Sequence, residues 1–245
     1  MVKRKIRRKR KRRAIIVFSF IAVVLTTYFF INLNNRRIES TNNRIESIGN
    51  FRDKTNQSNS SQNLILVNKS NSLSRNYQPD DLVIPNIRFD NIADDMVQYV
   101  KYDAAIALEE LFQSAESQGI NLIAVSGYRS YSYQHNVYRN EVNTVGRIEA
   151  DKYVAKAGES EHQTGLSMDI LSDEYLSLDD GFENTIAFSW LEDNMSKFGF
   201  ILRFPKGKED ITGYSYEPWH IRYVGISAAT EIMEEGLTLE EYLNK

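Results

Sequence analysis

At 245 residues the chain has room for one substantial domain and its appendages. It contains no cysteine, which excludes a disulfide framework and a lipidated-cysteine anchor. The formal net charge of −3 hides an asymmetry: residues 1–13 hold ten of the 30 Lys/Arg and none of the 33 Asp/Glu, leaving the remainder at −13, with 20 basic against 33 acidic residues.

Alone, the opening M-V-K-R-K-I-R-R-K-R-K-R-R reads as a nucleic-acid patch. The apolar run after it argues against that partner. Residues 14–33 carry no charge and are dominated by Ile, Val, Phe, Leu and Ala, a length that spans a bilayer as a helix. A basic flank before one apolar helix keeps the N-terminus in the cytoplasm and exports the rest. The run exceeds a usual signal-peptide core, and Tyr28-Phe29-Phe30-Ile31-Asn32-Leu33 offers no small-x-small cleavage site. The expectation is a basic cytoplasmic tail (1–13), a transmembrane signal anchor (14–33) and an extracellular remainder at the cell membrane. Residues 34–62 are polar, with a near-repeat, N-N-R-R-I-E-S then N-N-R-I-E-S, and read as a stalk that supplies reach.

The folded domain is expected over residues 63–245. Residues 64–67 (L-I-L-V) predict a first strand. Residues 93–118 predict a helix, with Met96, Val97, Val100, Ala104, Leu108, Leu111, Phe112 and Ala115 at 3- and 4-residue steps and Gly119 as its stop. A strand over 121–126 then delivers Gly127-Tyr128-Arg129-Ser130 into a loop, and a helix follows from 131 to about 148, exposing His135. Further elements are a strand over 166–171, a helix over 183–198 with Ile186, Ala187, Trp190, Leu191 and Met195 as its stripe, strands over 200–204 and 219–224, and closing helices over 227–235 and 239–243. Helices and strands mix without a regular βαβ repeat, so the fold class is α+β.

Two short segments carry the chemistry: S-E-H-Q-T-G-L-S-M-D, residues 160–169, and E-P-W-H, residues 217–220. They hold two of the three histidines, His162 and His220, and the carboxylates Asp169 and Glu217. Two imidazoles and one carboxylate make a usual three-ligand set for a catalytic Zn²⁺ with an open position for water. The fourth group is then free to serve as general base. Seven extended residues would cover roughly 23 Å, so the chain must fold back between His162 and Asp169, and Gln163-Thr164-Gly165 supplies the turn. Blander readings exist for each half: a His beside Trp219 is often a satisfied core residue, and Asp169 could pair with a buried Arg. Glu159 and Glu161, flanking His162, read as solvated loop charges.

The surrounding sequence bears on the choice. Ser160, His162, Gly165 and Asp169 match the S-x-H-x-x-G-x-A-x-D signature of the zinc D,D-carboxypeptidases and dipeptidases of the VanY-like family, with Ser167 in place of the signature's Ala, a small-for-small change expected to be harmless. The runs Y-Q-P-D-D-L-V from Tyr77, S-G-Y-R-S from Ser126 and I-T-G-Y-S-Y-E-P-W-H from Ile211 resemble the same family, so the likeness covers about residues 63–235. The resemblance implies the small α+β fold shared by these peptidases and the hedgehog signalling domain; the catalytic domain is expected to be monomeric. It implies zinc on His162, Asp169 and His220, Glu217 as catalytic base and Arg129 stabilising the transition state. It also implies Ser160 and Gln134 as residues that hold the substrate's terminal carboxylate or peptide. The expected activity is removal of terminal D-alanine from peptidoglycan stem peptides. An L,D-carboxypeptidase acting on tetrapeptide stems, an endopeptidase, or a non-catalytic wall-binding module remain as alternatives.

Overall fold

The computed structural model describes residues 62–90 and 95–245. The basic segment 1–13, the apolar run 14–33 and all of the stalk but Gln62 therefore lie outside the described residues. Among the described residues, no helix is long and apolar enough to cross a membrane.

In chain order the regular elements are β1 (Leu82–Val83), β2 (Val100–Lys101), α1 (Tyr102–Ser117), β3 (Leu122–Ser126), α2 (Tyr131–Val145), α3 (Arg147–Tyr153) and β4 (Ser167–Ser172). They continue with α4 (Ile186–Asn194), β5 (Phe200–Leu202), α5 (Glu209–Thr212), β6 (His220–Tyr223), α6 (Ile226–Glu235) and α7 (Leu239–Leu243). β1 and β2 form a small antiparallel pair. The main sheet is antiparallel with order β3-β4-β6-β5. This is an α+β arrangement.

Alternation along the strands gives the sheet two unlike faces. Met168 and Ile170 of β4, Ile221 of β6, and Phe200 and Leu202 of β5 are buried in one apolar cluster with Leu108 and Leu111 of α1 and Leu191 of α4. The opposite face presents Ser167 and Asp169 from β4 and His220 and Arg222 from β6, with Arg203 just beyond the end of β5. Five buried polar groups on one sheet face are costly unless each finds a partner. That face is where the chemistry sits.

Several sequence expectations change here. Residues 64–67 are not a strand: the backbone carbonyls of Asn63 and Ile65 accept hydrogen bonds from the Arg222 guanidinium at 2.9 and 2.8 Å, so a side chain takes the place of a ladder. The helix expected from residue 93 begins only at Tyr102. Val100–Lys101 is drawn into pairing with β1, and the Lys101 N–H donates to the Gly165 carbonyl at 2.8 Å. Met96, expected on the buried stripe, is exposed. The helix from Tyr131 stops at Val145 because Gly146 takes φ +84°, and α3 starts beyond it. The expected helix over 183–198 is a 3₁₀ turn (Asp180–Asn184), then α4, then a second 3₁₀ turn (Met195–Phe198). Ile186, the first residue of α4, is exposed, while Ala187, Leu191 and Met195 are buried.

Candidate functional site

The chain folds back between His162 and Asp169 through the 3₁₀ turn Glu161–Thr164, closed by Gly165 at φ +69°. The Thr164 hydroxyl donates to the Glu161 carbonyl at 2.6 Å and accepts the Leu166 N–H at 3.1 Å, which locks the reversal. Gly165 is needed twice over. Its φ is left-handed, and a Cβ there would sit 2.8 Å from Leu82 Cδ2 and 3.2 Å from the Lys101 nitrogen. The result turns His162 inward with its Nδ1 2.7 Å from the Gly127 carbonyl. A carbonyl only accepts, so Nδ1 carries a proton, and in the neutral ring that leaves the lone pair on Nε2.

Asp169 and His220 are direct cross-strand partners on β4 and β6. The Ile170 N–H donates to the Trp219 carbonyl and the Tyr223 N–H to the Leu166 carbonyl. Asp169–His220 and Ser167–Arg222 are thus the non-hydrogen-bonded pairs of this ladder, in which side chains stand closest. His162 Nε2 lies 3.4 Å from Asp169 Oδ2, and His220 Nδ1 lies 3.5 Å from Asp169 Oδ1. The imidazole centroids are 4.8 Å apart. His162, Asp169 and His220 each offer one donor atom, all within 4.8 Å of one another and all from buried residues.

These groups fit zinc. A tetrahedral ion with bonds of about 2.0–2.2 Å sets its donors roughly 3.3–3.6 Å apart; each imidazole stands at that distance from one Asp169 oxygen, His162 from Oδ2 and His220 from Oδ1. His162 Nε2 and Asp169 Oδ1 are buried without a hydrogen-bond partner, a state that costs free energy unless something binds there. Burial raises the Asp169 carboxyl, but His162, His220 and Arg129 together outweigh it and hold it down at about 2. Burial, reinforced by His162, pushes the His220 imidazole well below its ordinary value, so it is neutral, the form that ligates metal.

Glu217 reaches the same point by a turn. The His220 N–H donates to the Glu217 carbonyl at 3.2 Å, closing Glu217-Pro218-Trp219-His220, where Pro218 supplies the fixed φ of a turn's second residue. Glu217 Oε2 then lies 3.2 Å from His220 Nδ1. At 5% exposure its carboxyl is pushed well above the usual range, first by burial and then by Asp169.

Arg129 arrives from the other side of the sheet. A bulge in β3 shifts the register so that Ser126 faces Asp169, and Gly127 follows at a close approach where a Cβ would stand 2.5 Å from the Tyr99 carbonyl oxygen. The Arg129 N–H donates to the His162 carbonyl at 3.1 Å, and its guanidinium lies 3.9 Å from Asp169. Burial pulls that guanidinium below its ordinary range, while Asp169 and Glu217 oppose the shift. Arg129, Glu217 and His220 line two adjoining spaces: an inner pocket of about 50 Å³ reached by Ser160, Gln134 and Tyr214, and an outer cleft of about 640 Å³ running past Trp219 and Leu178. Gln134 donates to the Ala155 carbonyl at 2.7 Å, leaving its buried Oε1 without a partner. His135 is exposed and stands outside the metal-capable group.

Sequence reasoning misread Glu161. Its side chain is not solvated: it is 2% exposed and accepts from Arg203 Nε at 2.7 Å and Arg222 Nη1 at 2.6 Å. Arg203 also forms a two-pronged pair with Glu240 of α7, at 2.9 and 2.7 Å. The available signal was an arginine inside each of two apolar strand runs, F-I-L-R-F and H-I-R-Y, each of which needs a buried carboxylate. The departure at Ser167 also has a partner, since its hydroxyl donates to Glu161 Oε2 at 3.5 Å.

Comparison with known proteins agrees with this geometry. The family model for VanY, D-alanyl-D-alanine carboxypeptidase, matches residues 97–226. YodJ of Bacillus subtilis (strain 168), a carboxypeptidase by its name, is 50% identical over 183 residues, spanning 74% of this chain and 67% of YodJ. The LdcB LD-carboxypeptidase structure superposes with a TM-score of 0.70 at 49% identity, covering 75% of this chain and 87% of that one. A mutant of the vancomycin-resistance D,D-pentapeptidase VanY, solved in complex with Zn(II), gives a TM-score of 0.61 at 37% identity, covering 75% and 99%. A VanY-like α+β fold over the greater part of the chain, with a buried His-Asp-His group able to hold a metal, means that this chain belongs to the VanY D-alanyl-D-alanine carboxypeptidase family of zinc peptide hydrolases.

Proposed function

We propose that the chain removes the terminal D-alanine from peptidoglycan stem peptides, with His162, Asp169 and His220 as zinc ligands and Glu217 as the catalytic base. The observation that carries this reading is the buried triangle of donors with Glu217 3.2 Å from one of them. Zinc, when bound, supplies a Lewis acid that polarises the scissile carbonyl and acidifies water at its open position. Glu217 accepts the proton of the attacking water and returns it to the leaving amine, a task suited to a carboxylate whose proton affinity burial has raised. Arg129 donates to the oxygen on which negative charge develops. Ser160 and the unpartnered Oε1 end of Gln134 face the inner pocket, which is sized for a small terminal residue, and the outer cleft takes the stem that precedes it. Incubating the protein with defined pentapeptide and tetrapeptide stems and weighing the products tests the reading. Loss of one alanine from the pentapeptide supports it, and two intact peptides refute it.

A second reading, an L,D-carboxypeptidase trimming tetrapeptide stems, is favoured by the higher TM-score and identity to the LdcB LD-carboxypeptidase. The same incubation separates the two by which stem is shortened. A non-catalytic wall-binding module has no need to keep Glu217 and all three donors together.

The chain's first 33 residues support a membrane location, with the N-terminus cytoplasmic, one apolar anchor, a polar stalk and the catalytic domain outside. Protease added to intact cells should then release the domain. A domain that is protected until lysis overturns this topology.

A further inference from the structure

Glu161 is a buried carboxylate for which the proposed reaction has no use. Its two oxygens are not equivalent. Oε1 accepts from both Arg203 and Arg222 at 2.7 and 2.6 Å. Oε2 has one long contact, the Ser167 hydroxyl at 3.5 Å, and faces His220 Nε2 at 4.0 Å. His220 Nε2 is itself buried with no hydrogen-bond partner, and its other ring nitrogen, Nδ1, faces Asp169 and Glu217.

We infer that Glu161 is the positioning residue of His220: its Oε2, 4.0 Å from Nε2, is the negative group that draws the Nε2–H toward it and so favours the tautomer and ring angle that present a bare Nδ1 to the metal. The inference rests on the reading of His220 as a ligand. A neutral imidazole carries one N–H. If Nδ1 is to ligate, the proton must be on Nε2, where burial makes an acceptor necessary. Glu161 Oε2 is the carboxylate oxygen beside it. The two arginines clamp Oε1 from one side, and Ser167 steadies Oε2 from the other, so the carboxylate is aimed rather than free to rotate. His162 is oriented on its Nδ1 by a direct hydrogen bond to the Gly127 carbonyl at 2.7 Å, and Glu161 stands in the corresponding place beside His220 at the longer distance. Each imidazole of the site then has its outer nitrogen assigned, as metal-ligating histidines generally do.

The full-length chain tests this with three variants and one spectrum. Zinc affinity of the metal-free protein is measured by chelator competition. Glu161→Ala should weaken it roughly 10–100-fold. Glu161→Gln, which keeps an acceptor, should recover part of the loss. Glu240→Ala removes the other carboxylate from the same arginine, so it should lower thermal stability while keeping wild-type zinc affinity. Nitrogen-15 NMR of the zinc-loaded wild type should find the His220 proton on Nε2, a reading that does not depend on any variant folding. The inference is overturned if Glu240→Ala weakens zinc as much as Glu161→Ala, if Glu161→Ala binds zinc normally, or if the proton is on Nδ1. A wild-type chain that holds no zinc would instead overturn the ligand reading, and this one with it.

Discussion

Glu217 and His220 are three residues apart, buried and in contact, yet they are assigned different work, and substitution can tell the two roles apart. Glu217→Gln preserves size and one acceptor but cannot take up a proton. A positioned general base contributes ~10²–10⁴-fold in rate, so kcat should fall by at least the lower figure while zinc content stays near wild type. If Glu217 were a ligand and Asp169 only a partner for Arg129, 3.9 Å away, the pattern would invert, with Asp169→Asn keeping the metal and Glu217→Gln losing it. Metal analysis of both proteins alongside turnover decides between them. His162→Ala and His220→Ala should each lose zinc and activity together, because each removes one donor of the three-residue group found among the described residues. Stoichiometric metal in the double variant would remove the assignment.

The turn at Gly165 and the close approach at Gly127 convert sheet geometry into a site, and both depend on an absent side chain. Gly165→Ala combines left-handed backbone strain of about 1–2 kcal/mol with a clash against Leu82 and the Lys101 backbone. Gly207→Ala, at φ +80° with nothing within 4 Å, carries the backbone cost alone. Denaturant midpoints should therefore fall further for Gly165→Ala, and equal midpoints would mean that the contact with β2 is soft. The position of the turn was readable in Gln163-Thr164-Gly165, because two groups seven residues apart had to be brought to one point. β4 and β6 were readable too, as short apolar runs interrupted by a polar residue. What could not be read is how the segments compete for partners. Residues 64–67 look like a strand, but Ile65 and the preceding Asn63 give their carbonyls to Arg222, and residues 100–101 leave a helical pattern to pair with β1. In both cases a long-range hydrogen bond overrides local propensity. Glu161 was misjudged for the same reason, since its partners lie 42 and 61 residues away.

Across the whole domain, the same ion network ties both of its ends to the back of the site. Arg222 holds the carbonyls of Asn63 and Ile65 where the described chain begins, Asn68 donates to Glu240 at 3.0 Å, and Glu240 grips Arg203 from α7 near the C-terminus. Two buried arginines are balanced by two carboxylates, Glu161 and Glu240. The balance is uneven. For Arg203, burial is outweighed by Glu161 and Glu240, and its guanidinium is held above the ordinary range. For Arg222, burial, reinforced by the neighbouring Arg203 charge, outweighs Glu161, and its guanidinium falls below it. Removing one partner of a buried pair leaves an uncompensated charge and costs about 3–5 kcal/mol, whereas replacing a whole buried pair with apolar groups is often neutral. Glu240→Gln should therefore destabilise the domain by about that amount, read from equilibrium unfolding. The double variant Arg203→Met with Glu240→Gln should not recover it, because Glu161 and Arg222 then remain but Glu161 loses the Arg203 donor to its Oε1. A chain ending at Gly236 should lose still more, since it also uncovers Leu239 and the capping box of Thr238 and Glu241. If Glu240→Gln unfolds at the wild-type midpoint, α7 is merely packed against the domain, and the network does not hold the C-terminal end in place.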